Sequence, residues 1–106
     1  MKDDRQTPLL GRLAQVNKGR EQGNLAIIIE VIDDRYVMLA DGDKRKYDRP
    51  KKKNINHISL TSFISDEVRS SLLETGRVSN GKLRFAISKY ESEVVTELGK
   101  GDKHDV

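Results

Sequence analysis

The segment Leu25 to Ile32 (LAIIIEVI) constrains the fold more than any other part of the chain. Five of its eight residues are β-branched and only Glu30 is charged, so it reads as a central, largely buried strand. Its uninterrupted apolar part, Leu25 to Ile29, is far shorter than the ~20 residues that span a bilayer. Turn formers bracket it, Gly23-Asn24 before and Asp33-Asp34 after.

A strand of this kind needs partners, and the flanking sequence supplies them. On the N-terminal side Leu10, Arg12, Ala14 and Val16 alternate with Gly11, Leu13 and Gln15, giving a first strand with a mixed face. Asn17 to Asn24 is the connecting loop. Beyond Asp33-Asp34, Arg35 to Ala40 (RYVMLA) returns as a hairpin partner. Asp41-Gly42 is a type I′ hairpin signal that should lead into a charged edge strand, Asp43 to Tyr47. After a loop over Asp48 to Asn54, Ile55 to Leu60 (INHISL) alternates again. Five strands this short cannot make a sandwich with two good faces. They can close into a small SH3-like barrel, expected over residues 9–60 behind a frayed N-terminus, 1–8.

The remainder has helical spacing. Ser65 is placed to cap a helix whose first turn carries Asp66 and Glu67, with Val68, Leu72 and Leu73 on one face and Gly76 at its end. Ser79 or Asn80 caps a second helix, in which Leu83, Ile87, Tyr90, Val94 and Leu98 form one stripe. Two helices this short are unstable alone and should pack on the barrel or on each other. The expectation is a mostly β protein: a five-stranded barrel, a helical extension over 61–98 and a solvated tail, 99–106.

With 106 residues the chain has the size of one domain and buries roughly 65% of its unfolded surface, enough for one core. Having no cysteine, it has no disulfides and no thiolate metal sites. The N-terminal MKDDRQTPLL carries acids where a signal peptide carries a basic and then an apolar region, so a soluble, cytoplasmic protein with no membrane partner is expected. The net charge of +3 hides a strong asymmetry. The ten residues Lys44 to Lys53 hold seven basic side chains and one acid, Asp48, more positive charge than the whole chain carries. A densely negative partner is the natural inference.

The run Gly11 to Leu39 (GRLAQVNKGREQGNLAIIIEVIDDRYVML) resembles a KOW motif, in which an alternating strand, a loop with a signature glycine and an apolar strand follow one another. With the motif starting at Leu13 that glycine is Gly23, within Gly19-Arg20-x-x-Gly23-x-Leu25-Ala26. Ala40-Asp41-Gly42 and Pro50-Lys51-Lys52-Lys53-Asn54-x-x-His57 extend the likeness to KOW domains of archaeal and eukaryotic large-subunit ribosomal proteins of the fourteen-e type. The resemblance covers about residues 9–60. It implies an RNA-binding, ribosome-associated role, with ribosomal RNA or the ribosome as partner and ribosomal proteins as further neighbours. It also puts His57 on the RNA surface; from its strand position alone, a half-buried structural histidine fits equally well.

The residues support the same direction by their chemistry. Gly19 and Gly23 either satisfy turn geometry alone or let backbone N–H groups approach a phosphate, with Lys18 and Arg20 supplying charge. Lys44, Arg45, Lys46, Arg49, Lys51, Lys52 and Lys53 splay from an extended loop, because Pro50 disfavours helix before it. They either protect a sheet edge as solvated charge or neutralise phosphates. Tyr47, among them, is a candidate for stacking on a base or ribose. A barrel with basic loops suits irregular RNA better than duplex DNA, and little sequence specificity is expected from phosphate contacts. Two histidines 47 positions apart make no metal site, and no nucleophile, P-loop or dinucleotide motif points to catalysis or to a cofactor. The competing function is a protein-interaction module of the transcription or translation machinery, docking through the barrel or the helices.

Overall fold

A computed structural model describes residues 9–102, and the side chains of residues 9–93. Five antiparallel strands, β1 (Arg12–Val16), β2 (Leu25–Val31), β3 (Tyr36–Ala40), β4 (Lys51–Asn54) and β5 (Ile58–Ile64), form one sheet in the order β4-β3-β2-β1-β5. Two helices follow, α1 (Asp66–Thr75) and α2 (Asn80–Asp102).

The outer strands β4 and β5 are consecutive in sequence, joined by a single 3-10 turn, Ile55–His57. A flat five-stranded sheet holds its edges roughly 19 Å apart, whereas a three-residue 3-10 turn advances only ~6 Å. The sheet therefore curls. Register shifts between Arg12 and Ala14 on β1 and between Ile28 and Glu30 on β2 supply the local bends. The ladder ends at β4 and β5, which are not paired with each other, so hydrogen bonds do not close the expected barrel.

Curling divides the apolar residues into two clusters. Ala14, Val16, Ala26, Ile28, Val37 and Leu39 fill the concave face, joined by Ile58. Leu13, Ile27, Ile29 and Ala40 face the other way, onto Val68 and Leu72 of α1 and Leu83 and Ala86 of α2. Strand β2 is thus buried on both faces, which explains its nearly continuous apolar sequence. Leu13, Ile27, Val68 and Leu83 have no exposed surface, and each stabilises the fold by about 1.5–3 kcal/mol. The helices share the sheet's core and also pack on each other.

The helix signals act as the sequence suggests. The Ser65 hydroxyl accepts from the Val68 N–H at 3.2 Å, and Gly76 ends α1 in the left-handed region. Ser79 caps α2, accepting from the Lys82 N–H at 3.1 Å. Leu73, expected on the apolar face, is 40% exposed, five positions from Val68 and so rotated off its stripe. Ile87 and Tyr90 pack partly buried against the core; the side chains of Val94 and Leu98 lie outside the described residues. Helix α2 includes residues 99–102, expected as tail.

Two strand assignments differ from expectation. Asp43 to Tyr47 is not a strand, and the edge strand is Lys51–Asn54, expected as loop. One reason is local: the Asp41 carboxylate accepts the N–H groups of Asp43 and Arg45, both at 2.8 Å, winding the chain into a turn. Gly42 alone there has positive φ, so the turn is not type I′, which needs two such residues. Ile55 to His57 forms the 3-10 turn instead of opening a strand, because the Asn54 side chain caps it by accepting the Asn56 N–H. Strand β5 then runs on to Ile64.

Candidate nucleic-acid interface

The loop joining β1 to β2 is a tight structure built on two glycines with positive φ, Gly19 (93°) and Gly23 (91°). The Gly23 N–H donates to the Val16 carbonyl at 2.7 Å and turns the chain into β2. A Cβ on Gly23 would meet nothing within 4 Å, so that backbone faces open space. Lys18 and Arg20 project from the loop into solvent.

Glu21, in the same loop, is the element that assembles the site. Its carboxylate accepts from Arg45 Nη2 at 3.2 Å and lies 4.0 Å from Lys53 Nζ. Lys53 is accordingly drawn in, with its side chain 11% exposed, and its ammonium lies 3.1 Å from where a Gly19 Cβ would stand. The Asn17 N–H donates to the His57 carbonyl at 2.8 Å, so the 3-10 turn joins the same end of the sheet. The two basic segments, 35 residues apart from Lys18 to Lys53, therefore share one rim.

The lysine run itself is divided by the strand's period of two. Lys51 and Lys53 pair with Leu39 and Val37 and share their concave side, whereas Lys52 pairs with Met38 and faces the other way. Lys52 Nζ sits 4.6 Å from the Tyr36 ring centroid. It also lies near Asp33, whose carboxyl is held below the usual range chiefly by hydrogen bonds from the Arg35 and Tyr36 N–H groups, with the Lys52 and Arg35 charges adding to them. Lys18, Arg20, Lys44, Lys46, Arg49 and Lys51 are exposed and make no ion pair among the described residues.

Tyr47 does not lie loose among the cations. Its ring packs against the helix-side core, its N–H donates to Asn80 Oδ1 at 2.7 Å and its hydroxyl donates to the Gly76 carbonyl at 3.0 Å. It anchors the basic loop to the helices. Asn80, expected only as a helix cap, is the other half of that latch. In the sequence Glu21 is marked only as the one acid of a glycine loop, directly after Arg20.

Among the described residues, no group of three His, Asp or Glu side chains could hold a metal ion, and no helix is long and apolar enough to cross a membrane.

No protein-family model matches the chain. It is 43% identical over 72 residues to a Bacillus subtilis protein provisionally named as ribosome-binding, YbzG, covering 68% of this chain and 97% of that one. It is 33% identical over 90 residues to the large ribosomal subunit protein eL14 of Pyrobaculum calidifontis, covering 77% and 87% of the two chains. The eL14 of Hyperthermus butylicus is 31% identical over 75 residues, 63% of this chain and 76% of that protein.

Proposed function

The chain belongs to the eL14 family of large ribosomal subunit proteins, and from that premise we propose that it is a ribosome-associated, RNA-binding protein of translation. It acts in the cytoplasm by binding, with no catalytic step. Its contact is the rim on which Lys18 and Arg20 stand beside Lys44, Lys46, Arg49 and Lys51, with ribosomal RNA phosphates as the partner. Gly19 and Gly23 shape the loop so that its backbone comes close to the RNA, and His57 lies at the edge of the same surface. The observation that carries this reading is the bridge from Glu21 to Arg45 and Lys53, which ties the two cationic segments together at one rim of the sheet. Arg45 and Lys53 set the rim's shape, Tyr47 fixes its loop, and Lys52 adds charge on the outer side.

Binding to purified large subunits and to ribosomal RNA, measured across a salt series, tests the proposal. Neutralising about six phosphates gives a log–log slope of roughly −4 to −5. Reversing Lys18, Arg20, Lys46 and Arg49 to Glu should abolish association. A flat salt response, or association unchanged by that reversal, overturns it. The competing reading, docking of a protein on the helices, is favoured by one observation: Phe85 on α2 is 58% exposed. It predicts association that ignores salt and is lost in Phe85→Ala.

A further inference from the structure

The concave face of the sheet opens at the cationic rim as a slot between the 17–24 loop and β4, with a cavity of about 180 Å³. That is several times the ~30 Å³ of a water molecule and below the ~300 Å³ at which pockets for drug-sized ligands begin. It has room for one flat ring system. Val16, Ala26 and Leu39, all buried members of the concave cluster, make the floor. Lys44, Arg45, Lys51 and Lys53 stand around the mouth.

The two acids in the wall offset part of this charge and leave Lys44 and Lys51 as the cations with no ion pair among the described residues. Glu21 is already paired with Arg45 and Lys53, and Asp41 Oδ1 accepts two backbone N–H groups. The Asn24 amide offers both a donor and an acceptor beside the floor. A neighbouring cleft against α2 has the opposite balance: Asp41, Asp43 and Glu91 face Lys44 and Arg84, which disfavours a phosphate there. An apolar slot with a ring of cations matches a ligand with a flat hydrophobic part joined to an anion.

Resting on the phosphate-binding reading above, we infer that this slot takes the base of one unpaired RNA nucleotide, with its phosphate held by Lys44 and Lys51. Bases in a duplex are stacked and paired and cannot enter. Bases in loops and bulges are free to splay out into an apolar site. The rim then does more than follow a backbone: it selects RNA that presents an extruded nucleotide at the right place.

Amide shift mapping by NMR on the full chain tests this without any substitution, using adenosine 5′-monophosphate and, in parallel, ribose 5-phosphate. The nucleotide should move the amides of Val16, Asn24, Ala26 and Leu39, and ribose 5-phosphate only those at the mouth. Floor amides that stay still with the nucleotide, or that respond equally to the sugar phosphate, overturn the inference. A second arm fills the slot with Ala26→Leu and measures binding to a ribosomal RNA fragment with unpaired loops. The expected loss is about tenfold with the salt slope unchanged. No loss, with the slope intact, removes the slot and leaves the phosphate contacts standing. Wild-type binding without salt dependence removes both.

Discussion

The backbone N–H of Tyr47 donates to Asn80 Oδ1 at 2.7 Å, fastening the first turn of α2 to the basic loop between β3 and β4. Asn80→Ala removes the acceptor and leaves a half-buried N–H unsatisfied. The expected cost is about 1 kcal/mol, or roughly 4–8 °C in the thermal midpoint of a domain this small. Tyr47→Phe deletes only the more exposed bond to Gly76 and should cost about 0.5 kcal/mol. Thermal melts of both variants check the ranking; equal losses would show that the latch is not centred on Asn80.

Gly42 and Gly23 share a left-handed backbone but differ in their surroundings, which makes a controlled comparison. A Cβ on Gly42 would overlap the Asn80 carbonyl oxygen and press on Leu83, whereas one on Gly23 meets open space. Gly23→Ala should therefore cost only the left-handed penalty of about 1–2 kcal/mol. Gly42→Ala should cost that and more, because α2 must lift from the sheet. Denaturant midpoints measure the gap, and near-equal values would mean that α2 yields freely at its N-terminus.

The parts of the fold legible in sequence were those fixed by local chemistry. Leu25 to Ile32 announces a strand buried on both faces, and Ser65 and Gly76 bound a helix by short-range hydrogen bonds. The position of the edge strand is not legible, because both candidates, 43–47 and 51–54, are short and charged. What decides between them is Asp41 gathering two nearby N–H groups and Asn80 reaching Tyr47 from 33 residues away. Lys51 and Lys53 carry no hydrophobic alternation to reveal a strand, yet their stems lie along the concave rim with their charges at its edge. The rim itself depends on Glu21 meeting Arg45 across 24 residues, a pairing no local pattern encodes.

The turn between β2 and β3 gives a pH signature. Asp33 Oδ1 accepts the N–H groups of Arg35 at 2.8 Å and Tyr36 at 2.9 Å, which favours its ionised form and lowers its pKa. The folded value lies below the unfolded ~3.9. Its contribution is thus fully present above that unfolded value and fades as pH falls through the folded one. Asp33→Ala should be less stable than the parent at about pH 6, with the gap narrowing below about pH 4. Urea unfolding across that range reads it directly, and a constant gap would show that the carboxylate's charge plays no part.

Glu21 holds the rim together but also spends two of its cations on itself. Its pairs with Arg45 and Lys53 are partly exposed, so their combined worth to stability is about 1 kcal/mol or less. Glu21→Gln keeps the shape of the side chain while releasing both positive charges toward solvent. The fold should barely change, and RNA affinity should rise several-fold with a salt slope steeper by roughly one to two units. The direction discriminates between two roles for the bridge. If neutralisation of phosphates dominates binding, freeing Arg45 and Lys53 strengthens it. If the carboxylate is needed to hold the two loops in register, affinity falls while stability stays near that of the parent. Filter binding at two salt concentrations, beside a thermal melt, separates these outcomes.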